Sequence, residues 1–328
     1  MSFMTLKIYL GEILQRGIPL VEHPYAALAS ELDCDEATVL TLTEELIREG
    51  YIRSFGAFVD FERLGYQGLL CGLSVPESRM EAVAASLNAL NEVTHNYLRE
   101  HDVNMWCTVL LKGQTETARF VEGVIRSCEC PLVVLRTEKR LKLQPSFRFL
   151  HDESAGAWGK GDDEGSEWPA GDSFDETLLK FVTPLQRNFP VVPEPFDLAA
   201  RKAELSVPQL LKILRSLKEK RILRRIGASL HHRRMGYNAN ALIAWNADFT
   251  ADWGTRASAF PWVSHCYRRK VVENTLEEDW PYGLYTMVHA ADPMALAERI
   301  RVMKSELAFR DIVVLSTVRE LKKTRYFF

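Results

Sequence analysis

Two short stretches carry the side chains best suited to chemistry. In VTHNYLREHDVNMW (93–106), His95, Tyr97 and Arg99 alternate, so on an extended strand they share one face. VSHCYRRK (263–270) repeats the pattern with His265, Tyr267 and Arg269, and places Arg268 and Lys270 on the opposite face. An imidazole transfers protons near neutral pH or ligates a metal, a guanidinium grips a carboxylate at both oxygens, and an aromatic ring offers a flat wall. Together they suit a flat, anionic ligand. The competing reading is an interface hydrogen-bond network, because buried polar side chains must find partners. His101 and Asn104 fall at the turn after the first stretch, and Trp106 opens the next strand. After the second stretch a longer excursion, VENTLEEDWPYG (272–283), brings Trp280 and Tyr282, and Met287 and His289 share a face of the strand beyond. Such aromatics are core by default and a ligand wall only if a cavity faces them. His231 and His232 read as an exposed turn, and His23 and His151 have no evident partner. No GxSxG, P-loop, GxGxxG or HExxH pattern occurs, which removes the common hydrolase, nucleotide and zinc signatures.

The elements that position these residues occur twice. GYIRSFGAFVDFERLGYQ (50–67) matches RILRRIGASLHHRRMGYN (221–238) at an offset of 171, and IPLVEHPY (18–25) matches FPVVPEPF (189–196) at the same offset. With one residue of slip, His95, Tyr97 and Arg99 fall on His265, Tyr267 and Arg269. Three matches in order describe a duplicated chain. In the first copy, helical periodicity over 5–16, 24–31 and 35–49 is followed by short strand-like runs at 51–54 and 57–60, which predicts a helix-turn-helix with a two-stranded wing. In the second, Ser206-Val-Pro-Gln209 is a capping-box start, with Leu210, Ile213, Leu214 and Leu217 as the apolar stripe. Each wing is followed by a βαββαβ pattern. It runs 67–75, 78–90, 93–99, 105–112, 116–127 and 131–136, then 239–247, 251–259, 263–269, 284–290, 293–304 and 311–318. This predicts an α+β chain, a tandem of winged helix-turn-helix and ferredoxin-like units. The expected boundaries are 1–60, 61–150, 176–232 and 233–328, and the acidic, Gly-rich segment 151–175 reads as a flexible linker. The two halves are expected to pack as an internal pseudo-heterodimer.

Composition limits the partners. The net charge of −3 combines 15 basic and 20 acidic residues in 1–150, 1 and 8 in 151–175, and 25 and 16 in 176–328. A helix-turn-helix suggests DNA, but the first candidate recognition helix carries Asp33, Asp35, Glu36, Glu44, Glu45 and Glu49 against Arg48. Neutralising phosphates supplies most non-specific DNA affinity, so that helix would repel a duplex. The second copy offers Lys212, Arg215, Lys218, Lys220 and Arg221. Six cysteines without a CxxC pair argue against a structural zinc site or a disulfide framework. No long apolar run or export signal is evident, which makes the cytoplasm the expected compartment.

The winged helix followed by a ferredoxin-like unit resembles Lrp/AsnC regulators, and specific residues resemble one enzymatic branch of them. RRIGA (224–228), LGY (64–66), MGY (235–237), VTHNYLREHDVNMW, VSHCYRR and DWPYGLYTMVH (279–289) are similar to siroheme decarboxylases, the AhbA/AhbB and Nir subunits, in the fused NirD–NirL arrangement. The first half departs from the pattern, with Ser54 in place of the second Arg of RRIGA and Phe61-Glu62 in place of a more basic pair. The resemblance implies loss of two acetate carboxyl groups, at C12 and C18, to give 12,18-didecarboxysiroheme and CO2 in haem d1 or alternative haem synthesis. It implies no cofactor and no metal of the protein's own, because iron arrives with the siroheme. Proton delivery and axial iron ligation would be shared among His95, His101 and His265, with His101 or His265 as the ligand. Arg99, Arg268, Arg269 and Lys270 would hold carboxylates, and Tyr97, Asn104, Trp106, Tyr267, Trp280 and Tyr282 would line the pocket. A homodimer and other Nir subunits are the expected partners, with no membrane and no DNA. The alternative is a ligand-sensing, DNA-binding regulator.

Overall fold

The computed structural model describes residues 3–143, 179–247, 252–307, 309 and 311–324, and the predicted linker lies outside them. The first half begins with α1 (Phe3–Arg16), α2 (Pro24–Glu31) and α3 (Glu36–Arg48). Asp35 caps α3 by accepting the Thr38 N–H, and Val39, Leu42 and Leu46 are its buried stripe. Then come β1 (Ile52–Val59), β2 (Tyr66–Leu73), α4 (Met80–Ala89), β3 (Val93–Arg99), β4 (Met105–Lys112), α5 (Gly113–Cys128) and β5 (Leu132–Leu143). The second half repeats the order with α6 (Leu179–Val182), α7 (Asp197–Lys202), α8 (Val207–Glu219), β6 (Leu223–Leu230), β7 (Ala239–Asn246), α9 (Trp253–Ala259), β8 (Val263–Asn274), β9 (Leu284–Ala290), α10 (Pro293–Leu307) and β10 (Asp311–Lys323). The capping box at Ser206 and Gln209 is present, and Leu210, Leu211, Leu214 and Leu217 bury the helix it starts.

The wing departs from its prediction. Residues 52–59 form one continuous strand whose partner is β6 of the other half, antiparallel, with Gly56 opposite Gly227. Neither half therefore has a wing of its own. The reason lies in the RRIGA-type glycines. A Cβ at Gly56 would sit 2.4 Å from the Gln186 carbonyl oxygen, and one at Gly227 would sit 2.5 Å from that of Leu14. Each glycine lets the helical layer of the opposite half close onto the ribbon. Both strands are followed by a single 3-10 turn ending in left-handed Gly65 or Gly236, where a side chain would be strained, which explains the repeated Gly-Tyr.

The eight remaining strands close into one barrel in the order β10-β3-β4-β2-β5-β8-β9-β7. Each half supplies a four-stranded ferredoxin-like sheet. The halves join where β3 meets β10 and β5 meets β8, both antiparallel. Helices cover the outside, over one apolar cluster around Leu69, Val93 and Leu132 and a second around Trp245, Val263 and Met303. One end of the barrel interior is filled by Trp106, Trp280, Tyr285, Leu135 and Leu315. The other end opens toward the β1–β6 ribbon. All six cysteines are free thiols, and five of them are buried. Among the described residues no helix is long and apolar enough to cross a membrane.

Candidate active site

Alternation on β3 sends Asn96 outward, where its amide donates to Asn88 of α4. The other face, carrying His95, Tyr97 and Arg99, therefore looks into the barrel. By the same alternation β8 turns His265, Tyr267 and Arg269 inward. Each half builds the same stack: imidazole beside tyrosine at 6.2 Å in the first and 6.3 Å in the second. A guanidinium then covers that ring, at 5.1 Å for Arg99 over Tyr97 and 4.9 Å for Arg269 over Tyr267. The imidazoles stand nearest the open end, and each is fixed at Nδ1 by the hydroxyl before it: Thr94 Oγ1 at 3.0 Å from His95 and Ser264 Oγ at 2.7 Å from His265. Nε2 is the nitrogen that remains for a ligand or a proton.

A cavity of about 250 Å³ lies beside His95, with Phe58, Phe61, Thr94, Thr108 and Gln186 among its walls. Cations crowd the mouth. Arg53 donates to the Lys323 carbonyl at 2.8 Å and pairs with Glu320 at 3.1 Å. Burial, followed by the charge of Arg53, lowers the Lys323 ammonium to about 8. Burial first, then Lys323, Arg53 and His265, pushes His95 to about 3, and burial followed by Lys323, Arg224 and Lys142 pushes His265 to about 4. Both rings are neutral at pH 7.

The two seams differ in charge. Between β5 and β8, Arg140 is held by Asp60 at 3.0 Å and Glu62 at 3.4 Å. At the repeat offset those acids become His231 and Arg233, which stand by the seam between β10 and β3. Sequence reasoning passed over Arg53 and Lys323 as site residues, took His289 by default as core, and treated His231 and His232 as an exposed turn. His232 is in fact buried, edge-on to His289 at 5.5 Å. The one signal available was the charge difference between the otherwise matching segments 60–63 and 231–234.

Other expected site residues lie elsewhere. His101 is exposed in the β3–β4 turn, its Nδ1 accepting the Val103 N–H and its ring edge-on to Trp280. Asn104 uses both ends of its amide on Val75, accepting at 3.0 Å and donating at 2.9 Å. Trp106 and Trp280 belong to the filled end of the barrel, where Trp106 donates to Val103 O and Trp280 to the Tyr285 hydroxyl. Tyr282 donates to Asp311. Arg268 pairs with Glu138 and Lys270 is exposed, both on the face away from the chamber. Alternation on β8 forces this, since neighbours of an inward residue point outward. Arg99 also differs from its twin: its Nη1 donates to Leu315 O and Thr317 Oγ1, whereas Nη1 of Arg269 has no hydrogen-bond partner among the described residues; Nε is unpartnered there in both.

The chain is similar to known proteins along most of its length. A family described as the AsnC-like ligand binding domain matches residues 63–142 and 234–322, and one described as the siroheme decarboxylase NirDL-like HTH domain matches 12–53 and 180–224. A siroheme decarboxylase of Hydrogenobacter thermophilus is 32% identical over 96% of this chain and 92% of its own. The chain belongs to the siroheme decarboxylase family. The family's fused form extends along the whole chain: the NirDL subunit of Paracoccus denitrificans is 29% identical over 88% of this chain and 86% of its own. The crystal structure of a siroheme decarboxylase NirDL superposes with a TM-score of 0.73 at 28% identity, covering 100% of this chain and 94% of that one.

The depressed histidines of this family member make a stability prediction. A histidine whose pKa is lowered by folding binds its proton more readily when unfolded. Its contribution is intact above the unfolded value near 6.5 and is lost as pH falls toward 3 or 4, the values of His95, His232 and His265. The urea midpoint is therefore expected to fall steadily from about pH 6.5 to about pH 4. A midpoint that stays flat across that window would contradict the buried, neutral state of these rings.

Proposed function

We propose that the chain removes the C12 and C18 acetate carboxyl groups of siroheme non-oxidatively, giving 12,18-didecarboxysiroheme and two CO2. The observation that carries this reading is the pair of inward imidazoles on β3 and β8, each oriented at Nδ1 by a hydroxyl, with Lys323 and Arg53 close to His95 and Lys323 and Arg224 close to His265. The NirDL structure determined with an iron-uroporphyrin III analogue supports it, because that ligand shares siroheme's flat, carboxylate-rich ring. Siroheme's carboxylates would be met by Arg53, Lys323, Arg233 and Arg269, while Arg99 is spent on Leu315 and Thr317.

Cleaving a ring acetate leaves an electron pair on the methylene carbon, which is too basic to form unless the conjugated macrocycle accepts it. Protonation of the ring, loss of CO2 and delivery of a proton to the methylene carbon together replace each carboxylate with hydrogen. No electrons leave the substrate, so the reaction requires no oxidant and no resident cofactor. The chamber's charge supplies the timing. Burial, reinforced by Lys323, keeps both His95 and His265 neutral in the free protein, and arriving carboxylates would offset the cationic part of that depression.

The test is anaerobic incubation of purified protein with siroheme, followed by mass spectrometry. The expected product has lost two carboxyl groups as CO2, and an unchanged mass sinks the reading. No observation favours the regulator. Both wing strands are consumed in the inter-half ribbon, Glu45 and Glu49 of α3 pair with Lys7, and Arg215 of α8 donates to Leu20 O. Sequence-selective, salt-dependent binding of duplex DNA would restore that alternative.

A further inference from the structure

Ser264 joins two imidazoles. Its Oγ lies 2.7 Å from Nδ1 of His265 and 2.9 Å from Nε2 of His289, so one hydroxyl can donate to the first while accepting from the second. Beyond His289 stands His232, edge-on at 5.5 Å, and His231 stacks on His232 at 5.9 Å in the turn between β6 and β7. His231 is only half-buried, so the row runs from the chamber to solvent.

The first half starts the same arrangement and stops. Thr94 Oγ1 touches His95 Nδ1 at 3.0 Å and reaches Thr108 O at 3.2 Å, as Ser264 Oγ reaches Met287 O at 3.4 Å; what the first half lacks is the second imidazole. In the matching registers His95 lies opposite Thr108 and His265 opposite Met287, which puts Leu110 where the second half has His289. Phe61 occupies the position of His232 at the repeat offset. The extra imidazoles belong to one half alone, and the cavity lies beside His95 of the other, with Gln186 and Thr324 closing it from the second half.

We propose that His289 and Ser264 form a proton relay that reloads His265, making His265 the proton donor of decarboxylation and leaving His95 to hold the substrate or its iron. The inference rests on the decarboxylase reading, because only that reaction consumes a proton for each CO2 released. In each event the C–C bond to the carboxylate breaks and CO2 departs. A C–H bond then forms with the proton from Nε2 of His265. Nδ1 of His265 takes the hydroxyl proton of Ser264, and Ser264 takes the Nε2 proton of His289. His289 enters the step charged with one solvent proton that has come along His231 and His232, and it leaves neutral. Tautomer exchange in His265 restores Nε2–H before the second carboxyl group is removed. Two solvent protons are consumed for two CO2.

The relay is tested with the full chain turning over siroheme anaerobically, in H2O and D2O. Ser264→Ala and His289→Leu, the latter installing the residue of the other half, are each expected to lower kcat about tenfold or more. KM should change by less than about twofold, because the bound ground state is untouched. Ser264→Thr retains the hydroxyl and is expected to keep most of kcat. Added imidazole is expected to accelerate His289→Leu and not the unsubstituted protein, a response that a packing role for His289 would not give. The relay is overturned if kcat is unchanged in Ser264→Ala or His289→Leu. It is also overturned if the loss is restored by neither imidazole nor Ser264→Thr. In both cases continued turnover by the unsubstituted chain leaves the decarboxylase reading standing. Siroheme left unchanged by the unsubstituted chain overturns both.

Discussion

His95→Ala is expected to lower kcat for siroheme by at least about a hundredfold, the range associated with losing a positioned proton-transfer or ligating group. His101→Ala is expected to stay within about twofold of the unsubstituted rate. The two residues are six apart on one motif, but β3 ends at Arg99, roughly 13 Å along the strand from His95, and His101 lies in the turn beyond. His95 ends in the cavity with Nδ1 fixed by Thr94, whereas His101 closes its own turn through Val103 at the far end of the strand. Single-turnover assays on both variants, monitored by product mass, separate the positions. Loss of turnover in His101→Ala with normal folding would place the substrate at the filled end of the barrel and refute the chamber described above.

Trp106→Ala carries the second large effect, and it concerns stability. The indole is 1% exposed and seated against Gly72, where an added Cβ would come within 2.7 Å of the ring. Its face meets Trp280 at 5.5 Å and its Nε1 donates to Val103 O at 2.8 Å. Truncation removes the packing and leaves a cavity inside a closed barrel, whose walls cannot collapse without breaking strand pairing. The expected cost is about 3–5 kcal/mol, a large share of a typical folding free energy of about 5–15 kcal/mol. Urea unfolding reads it directly, and siroheme affinity measured below the transition should be little changed. A stable variant with weakened binding would return Trp106 to the ligand wall.

Much of this protein was legible without coordinates because its two halves annotate each other. The constant offset exposes the duplication, and helical and strand periods place most elements to within a few residues, although β5, β8 and β10, the strands of the seams, run five to seven residues past their predicted ends. Alternation on β3 and β8 is local geometry, so sequence alone puts His95, Tyr97 and Arg99 on one face, and His265, Tyr267 and Arg269 on another. The same rule already sets Arg268 and Lys270 apart from them. What sequence could not decide is which elements meet across the halves. A two-residue gap in strand propensity at 55–56 reads as a hairpin turn. Only the opposite half, pressing Gln186 against Gly56, reveals a straight strand paired with β6. Likewise, Lys323 lies opposite His95 only because β10 closes the barrel against β3, more than two hundred residues away in the chain. His101, Asn104, Trp106, Trp280 and Tyr282 sit beside the functional motif in sequence and apart from it in space, because a strand carries its two ends in opposite directions. Residue types and spacing determined the chemistry available to this chain. Closure of the barrel between the halves determined where that chemistry is assembled, since pairings across long loops are set by packing that no local pattern encodes.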